Sequence, residues 1–458
     1  MKEPPPALIS LILLVGVVSA FVFQNMNAPI SIDSTSALAR DIFLPPPDIL
    51  DKLAEKDDEL ARVPVSIGSK EIVYYENRYT VLSYKTQAEC DKRKGLWDES
   101  IEVCRSVSQK RSTDKERVLG LKLLNTETGE VEVIAVQIKI DINGVSVVAP
   151  DGYQIEIVER PNGIRWNWWN TLYRVTAPEN SVVIKNLWPR EEMIPVTRIV
   201  NGKPKKETKK VVVGFLYVPH SEFFELEENR SILVQAGANY LKSVVAKAFD
   251  TLEERGIHID REVLSPKFFE RIPLLEQGDF TEFQLDPKKT VERVLIILGA
   301  NKENAWKYTC NGVSACGWVQ FTDIRTRDAS GRLFDGTYTT VRKRFPAAKL
   351  TVDFREGAGD HQNSIMAAIL LHKINLAPLV QKFGDKILVD PEREKYLAAS
   401  YNGAPKWVSN SLNATISKAF AGWITALSPT RKDSKGGLRR ETRDFMTKLD
   451  YLIQNDLP

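Results

Sequence analysis

Residues 290–306 read TVERVLIILGANKENAW, and this stretch indicates how the C-terminal half of the chain folds. Apolar side chains recur at helical spacing from Thr290 to Ala300, which predicts a core helix. The helix is followed at once by Glu303, which lies close to Ala305 and Trp306 in the sequence. A carboxylic acid among apolar groups is a candidate proton donor, because desolvation raises its pKa. The stretch therefore predicts a helical domain with an acidic residue at the end of a buried helix.

Four more motifs follow this element along the chain. They are Ala315-Cys316-Gly317-Trp318-Val319-Gln320, Ser364-Ile365-Met366-Ala367-Ala368, Ala398-Ala399-Ser400-Tyr401-Asn402-Gly403-Ala404-Pro405 and Glu441-Thr442-Arg443-Asp444-Phe445. Together with Glu303-Asn304-Ala305-Trp306 they resemble, in the same order, the five motifs of the soluble lytic transglycosylase family. Each motif alone is weak, but five in the right order are fairly specific. The resemblance runs from about Pro287 to the end of the chain.

The resemblance implies a lysozyme-like α-helical domain that cleaves the β-1,4 bond between MurNAc and GlcNAc in peptidoglycan. Glu303 would act first as acid and then as base, and the C6 hydroxyl of the muramyl sugar would attack its own ring to form a 1,6-anhydro product. By the same resemblance Gln320, Tyr401 and Asn402 would line the sugar cleft, and Tyr401 would orient Glu303. The implied partner is a glycan strand of peptidoglycan, and the implied reaction needs no cofactor and no metal.

Two other functions remain open at this point. The chain departs from the family pattern within the motifs, at Asn304, Trp318, Val319, Ser364, Ala368 and Phe445. These departures favour an inactive binding or assembly protein that keeps the lysozyme-like scaffold. A lysozyme-type hydrolase would need a second carboxylate, for which Asp323 and Asp328 are the candidates near Glu303 in the sequence.

The half of the chain before these motifs carries strand signals. Short runs rich in β-branched and aromatic residues alternate with turn formers such as Asn143-Gly144 and Asn201-Gly202. The predicted strands are Val73–Tyr75, Tyr79–Tyr84, Val131–Ile140, Val145–Val148, Ile155–Val158, Ser181–Ile184 and Val211–Tyr217. We therefore predict a β-rich domain at residues 65–220, a helical connector at 221–286 and the lysozyme-like domain at 287–458. The predicted fold class is α+β, with a mostly β N-terminal domain and a lysozyme-like α-helical C-terminal domain.

The role of the β-rich domain is not decided by its sequence. Anchoring, regulation and binding of a protein partner in the cell envelope are the three open roles. The cluster Trp166, Trp168 and Trp169 is suited to stacking on sugars or on a partner, although core packing is the favoured interpretation.

The N-terminus and the cysteines indicate export. Ala7 to Phe23 is an almost unbroken apolar run, so residues 1–24 are predicted to be a signal peptide or signal anchor, followed by a linker at 25–64. The charged stretch Asp51–Arg62 in this linker is a candidate short solvated helix. The cysteines form two close pairs in sequence, Cys90 with Cys104 and Cys310 with Cys316. In an oxidising compartment these predict two local disulfides, with buried free thiols as the alternative. The predicted location is the cell envelope, periplasmic or extracellular, with a single membrane anchor if the segment is not cleaved.

Composition excludes several other classes of protein. With 458 residues, 43% of them hydrophobic and 27% charged, the chain is neither disordered, nor collagenous, nor a multi-span membrane protein. Its 63 basic and 60 acidic residues leave a net charge of +3, which argues against a nucleic-acid partner. Walker, HExxH and GxSxG motifs are absent from the sequence. The stretch from Gly357 to His361 is interpreted as an ordinary turn rather than a phosphate or metal site, and the basic segment Lys203–Lys210 as a solvated face rather than a contact with an anionic wall or membrane.

Overall fold

The computed structural model describes residues 48–82, 86–92, 96–98, 103–141, 144–158, 172–200, 202–311, 314–327, 331, 333–427 and 436–458. The predicted signal segment and the tryptophans of residues 166–169 lie outside these ranges, as do residues 25–47 of the predicted linker. All described residues belong to one unit, Leu44–Pro458.

Both strands and helices are present, so the predicted α+β class is confirmed. The strands are β1 Ser66–Leu82, β2 Leu96–Asp98, β3 Val103–Asn125, β4 Val131–Asp141, β5 Gly144–Val148, β6 Gln154–Ile157, β7 Tyr173–Ala177, β8 Ser181–Val200, β9 Lys203–Tyr217, β10 Ala315–Cys316, β11 Phe321–Thr322, β12 Thr326–Arg327 and β13 Leu333–Phe334. The helices are α1 Asp48–Ala54, α2 Asp57–Ala61, α3 Gln87–Lys92, α4 Glu227–Glu254, α5 Pro266–Gln277, α6 Phe280–Leu285, α7 Pro287–Asn301, α8 Thr337–Arg344, α9 Phe354–Gly359, α10 His361–Phe383, α11 Lys386–Val389, α12 Arg393–Asn402, α13 Pro405–Ala414 and α14 Arg440–Gln454.

The first part of the described chain is a seven-stranded antiparallel sheet in the order β5-β4-β3-β8-β9, with β1 and β2 also paired to β3. Strand β3 is the centre of this sheet, yet the sequence did not predict it. Its residues 106–117 are mostly polar and charged and lack the alternation of a half-buried strand. Pairing with β1 from Leu82↔Cys104 to Ser66↔Val118 forms the strand instead, so tertiary context overrides the local pattern.

Residues 48–61, within the predicted linker, fold as the two short helices α1 and α2. Leu60 is fully buried, and its side chain fills the space above Gly120 of β3, where a Cβ would lie 2.9 Å from it. Asp57 accepts a hydrogen bond from Lys185 at 2.8 Å and pairs with the buried Lys122. These contacts attach the segment to the sheet, so it is part of the folded unit rather than a free linker.

The remaining part is helical and is built around α10. Ile365, Ala367, Ala368 and Ile369 on this helix are all fully buried. Among the described residues α10 alone is long and apolar enough to cross a membrane, with a mean hydropathy of 1.3, but 67% of that window is buried within the protein. It therefore has the character of a core helix. Helices α4 and α5, from the predicted connector, contribute to the same hydrophobic core as the helices after residue 287.

The helical part and the sheet meet where β9 ends. The amide of Val218 donates to Asn301 Oδ1 at 2.7 Å, and Asn301 Nδ2 donates back to the Val218 carbonyl at 2.9 Å. Close by, the guanidinium of Arg190 lies 3.5 Å from the ring centroid of Tyr308. These contacts attach the end of α7, and the loop that follows it, to the sheet.

Candidate active site

A cleft with a volume of about 850 Å³ opens on the helical part, a size suited to a bound ligand. It lies between the end of α5, the loop that contains β10 and β11, the end of α12 and the first turns of α14. Its lining residues are Leu275, Glu276, Phe280, Asn311, Ala315, Gln320, Phe321, Thr322, Thr337, Leu371, Tyr401, Asn402, Arg440, Glu441, Asp444, Phe445 and Lys448. The set contains apolar surface, amides and several carboxylates, which is the composition of a site for a polar, bulky ligand.

Three of the four residues predicted to act on a sugar lie together in this cleft. Gln320, Tyr401 and Asn402 all line it, although more than 80 residues separate the first from the others. The side chain of Asn402 accepts a hydrogen bond from Thr442 Oγ1 at 2.9 Å, which joins α12 to α14. The structure thus brings the helices that carry the fourth and fifth motifs to one site.

Gln320 is held by its own loop. Its amide Nε2 donates to the Gly317 carbonyl at 2.7 Å, while its Oε1 accepts from Asn311 Nδ2 at 3.1 Å. Gly317 has φ +73° and packs so closely on α9 that a Cβ there would lie 1.9 Å from the Ala358 carbonyl oxygen. Glycine at the third position of the second motif is therefore a steric requirement of the turn that presents Gln320.

Tyr401 braces the same turn from the other side. Its hydroxyl donates to the Val319 carbonyl at 2.5 Å, and its ring stacks on the buried His372 with centroids 5.0 Å apart. Burial raises the pKa of Tyr401 well above its usual value, and the charge of Glu276 adds to this effect. The acid that acts on Tyr401 is thus Glu276, whereas the sequence led us to expect Glu303.

Glu303 lies elsewhere. It belongs to a one-turn helix, Lys302–Asn304, just after α7, and its side chain is exposed. It is not among the residues that line the cleft. Its charge acts instead on Tyr240, whose pKa is raised first by burial and then by Glu303 and Asp360. The structure does not bring Glu303 together with Gln320, Tyr401 and Asn402, and it lacks the apolar enclosure expected of a proton donor.

The acid that does line the cleft is Glu276, which the sequence reasoning missed. It lies in the last turn of α5, after Leu274 and Leu275, which are both buried. Burial raises the pKa of the Glu276 carboxyl, the ammonium of Lys448 opposes this rise, and the charge of Glu441 adds to it. The C-terminal end of a helix dipole also disfavours a negative charge at this position. Glu276 therefore keeps its proton to a higher pH than an ordinary glutamate.

The sequence did contain a signal for Glu276. Leu274-Leu275-Glu276-Gln277-Gly278 places an acid directly after an apolar helix, as residues 298–303 also do. Gln277 also connects Glu276 to the second motif, because its side chain donates to the Trp318 carbonyl at 2.8 Å. Two segments therefore have the same local pattern. The tertiary contact of Gln277 with the Gly317–Gln320 turn distinguishes the segment that reaches the cleft from the one that does not.

Both predicted disulfides are present. Cys90–Cys104 joins α3 to β3, and Cys310–Cys316 closes the loop that carries Asn311 and Ala315 into the cleft. Within that loop Asn311 Oδ1 accepts from the Ala315 amide at 3.0 Å. Two disulfides indicate an oxidising compartment outside the cytoplasm.

The other sequence candidates have structural roles. Asp360 is the N-cap of α10, where it accepts from the Asn363 amide at 2.8 Å, and His361 lies buried between Tyr240 and the Ala305 carbonyl. No cluster of potential metal ligands occurs among the residues that the structure describes. Asp323 accepts from the amide and the hydroxyl of Thr339 and does not line the cleft, while Asp328 lies outside the described residues. No protein-family model and no curated protein matches this chain.

Proposed function

We propose that the cleft binds peptidoglycan glycan strands and cleaves the MurNAc–GlcNAc β-1,4 bond as a lytic transglycosylase, with Glu276 as the acid. The observation that carries the proposal is that a half-buried carboxyl with a raised pKa shares one cleft with Gln320, Tyr401 and Asn402. Residues of the second, fourth and fifth motifs of the resemblance line this cleft, and we assign to Glu276 the role of acid that the resemblance gave to Glu303.

The first chemical step requires a protonated Glu276. Its carboxyl donates a proton to the glycosidic oxygen, the bond between C1 and that oxygen breaks, and positive charge develops at C1 of the muramyl sugar. A sugar in the cleft would displace water from the exposed side of Glu276, and the desolvation would favour the protonated form further.

The second step uses the carboxylate that remains. Glu276 accepts the proton of the C6 hydroxyl while the C6 oxygen bonds to C1, so a 1,6-anhydro sugar forms and Glu276 regains its starting proton. The nucleophile is tethered to the reacting ring, and this proximity replaces a positioned water molecule.

Amide groups beside Glu276 suit an N-acetylated sugar. Gln320 and Asn402 each present both hydrogen-bond donors and an acceptor, the complement of N-acetyl and hydroxyl groups. Phe280, Phe321 and Leu371 supply apolar surface in the same cleft, against which sugar rings would pack.

A lysozyme-type hydrolase is the second candidate, because two further carboxylates line the cleft. Glu441 and Asp444 lie on the first turns of α14, and the charge of Glu441 acts on Glu276. Either acid would serve as the general base that activates water in a hydrolase. The products separate the two mechanisms, since hydrolysis leaves a reducing end and transglycosylation leaves a 1,6-anhydro end.

The experiment is mass spectrometry of peptidoglycan sacculi digested by the chain without residues 1–24, with a Glu276→Gln variant beside it. We expect anhydro-muropeptides from the wild type and none from Glu276→Gln, which keeps the shape of the side chain but has no transferable carboxyl proton. Reducing-end products would establish the hydrolase instead. Binding of sacculi without release of any product by the wild type would establish an inactive binding or assembly protein.

The cellular setting that we propose follows from the same substrate. The protein would work in the periplasm or outside the cell, attached through residues 1–24 if that segment is not cleaved. The sheet of β1–β5, β8 and β9 would then remain available for a cell-envelope protein. The two disulfides support this setting, because such bonds persist in an oxidising compartment and are rare in the reducing cytosol.

A further inference from the structure

Lys448 is a lysine buried beside the cleft. It lies on α14, only 8% of its surface is exposed, and its ammonium is 5.4 Å from the ring centroid of Phe445. Lysine is rarely buried to this extent without a partner, because removing its charge from water costs several kcal/mol. The burial of Lys448 therefore requires polar partners for its ammonium group.

The ammonium of Lys448 bonds to the main chain on both sides of Glu276. Nζ donates to the Leu275 carbonyl, which immediately precedes Glu276, and to the Gly278 carbonyl at 2.7 Å, two residues after it. Carbonyls in the last turn of a helix lack partners within the helix, and a lysine at this end both satisfies them and opposes the helix dipole. One side chain of α14 thus holds the turn of α5 that carries the acid.

We propose that Lys448 is the positioning residue of Glu276: its ammonium anchors the peptide groups around this glutamate and supplies the fixed positive charge that balances its carboxylate. The inference rests on the proposed function for its catalytic meaning, but the contact itself does not depend on turnover. A lysine that only capped α5 would leave the ionisation of Glu276 unchanged.

The charged groups around the pair define its electrostatics. Lys448 and Glu441, both on α14, act on Glu276, and Tyr401 on α12 faces it. Burial lowers the pKa of Lys448, and the charges of Glu276, Asp279 and Asp444 oppose this fall. Because three acids surround the ammonium, removal of its charge leaves Glu276 among like charges, and protonation of Glu276 becomes more favourable.

The test is an NMR titration of the Glu276 carboxyl carbon in ¹³C-labelled protein, with the resonance assigned by its loss in Glu276→Gln. We compare wild type with three variants. Lys448→Arg keeps charge and donors, Lys448→Gln keeps amide donors without charge, and Lys448→Met removes both. We expect the Glu276 midpoint to rise by about one pH unit or more in the Gln and Met variants, a tenfold change in proton affinity, and to stay near wild type in Arg.

Two outcomes would overturn the inference. A folded Gln or Met variant with an unchanged Glu276 midpoint would leave Lys448 as a helix cap only. If neither neutral variant folds, the titration of the wild-type protein provides the test. The ¹⁵Nζ resonance of Lys448 should respond at the pH where Glu276 titrates, because the two groups are coupled, and its absence of response would contradict the proposal.

The titration also separates this inference from the proposed function. If the Glu276 midpoint shifts in the neutral Lys448 variants but the wild type does not cleave sacculi, the Glu276–Lys448 pair is supported and the proposed enzyme activity is contradicted. If the wild type cleaves sacculi but the Glu276 midpoint is the same in the Lys448 variants, the enzyme activity is supported and the role of Lys448 is contradicted. In an active enzyme, the high-pH limb of kcat/KM in Lys448→Gln should move upward by the same amount as the Glu276 midpoint.

Discussion

At the scale of single residues, two glutamates differ in their environment. Glu276 and Glu303 both follow an apolar helix, but only Glu276 lies in a cleft with amides, aromatic groups and a buried lysine. Glu303 is exposed and does not line that cleft. Chemistry that needs a protonated acid near neutral pH therefore favours Glu276.

The pH dependence of cleavage follows from the raised pKa of Glu276. The acid must be protonated to act, so kcat/KM should fall as pH rises through that pKa, well above the ordinary glutamate value of 4.5. The buried His361 and His372 do not produce this limb, because burial lowers the pKa of each to about 4. Initial rates of sacculus solubilisation between about pH 4 and 9 would measure it. A decline centred near 4.5 would mean that Glu276 is not the titrating acid.

At the scale of elements, two helices cross with no room for side chains between them. A Cβ on Gly237 of α4 would lie 2.0 Å from the Leu295 carbonyl oxygen of α7, and one on Gly299 of α7 would lie 2.2 Å from the Leu233 carbonyl oxygen of α4. Helix α7 is also the element attached to the sheet through Asn301. The close crossing therefore connects the helical core to the sheet.

Gly237→Ala should destabilise the protein although alanine is the better helix former. The methyl group forces the helices apart, and overpacking of this kind costs about 1–3 kcal/mol, which exceeds the gain of about 1 kcal/mol in helix propensity when the backbone does not relax. Urea unfolding followed by circular dichroism would measure the change. Ser243→Ala, at an exposed position of the same helix, is the matched control and should leave the free energy of unfolding within about 0.5 kcal/mol of wild type. Equal stability of both variants would contradict the close crossing.

The two disulfides should differ in their effect on the cleft. Cys310–Cys316 closes the loop that holds Asn311 against Gln320 in the cleft, whereas Cys90–Cys104 joins α3 to β3 in the sheet part. Replacing Cys310 and Cys316 by serine should raise KM for glycan several-fold, because Gln320 loses part of its support.

The double serine variant at Cys90 and Cys104 is the matched control for this prediction. It should lower the melting temperature, since loss of a disulfide costs about 2–5 kcal/mol, but leave KM unchanged. Steady-state kinetics on a soluble glycan oligomer, with thermal unfolding in parallel, would measure both quantities. An equal rise in KM for the two variants would show that the Cys310–Cys316 loop has no special role in binding.

At the scale of the whole molecule, three patterns in the sequence predict the fold class and most of the site: apolar spacing, the order of the motifs and the spacing of the cysteines. Periodic apolar spacing located the helix at residues 290–300, which spans Pro287–Asn301 in the structure. Motif order located Gln320, Tyr401 and Asn402, and the structure places these three in one cleft. Spacing of the cysteines indicated both disulfides.

Features that depend on distant partners escaped the sequence. Strand β3 is polar over much of its length and forms because β1 lies along it. The segment of α1 and α2 has the sequence of a solvated linker, and its attachment to the sheet depends on Leu60, which packs above Gly120. The acid was assigned to Glu303 because the local pattern occurs at the ends of both α5 and α7, and only the contacts of Gln277 and Lys448 connect one of them to the cleft.

The assignment of Glu276 as the acid is tested most sharply by the rate of anhydro-muropeptide release by Glu276→Gln and Glu303→Gln, each measured against wild type on the same sacculi. We expect Glu276→Gln to lose at least about a hundredfold in rate, as removal of a general acid typically does, and Glu303→Gln to stay within about twofold of wild type. Circular dichroism and equal binding to sacculi would show that both variants are folded. The reverse result, with Glu303→Gln inactive and Glu276→Gln active, would contradict the assignment of the acid and the cleft that surrounds it.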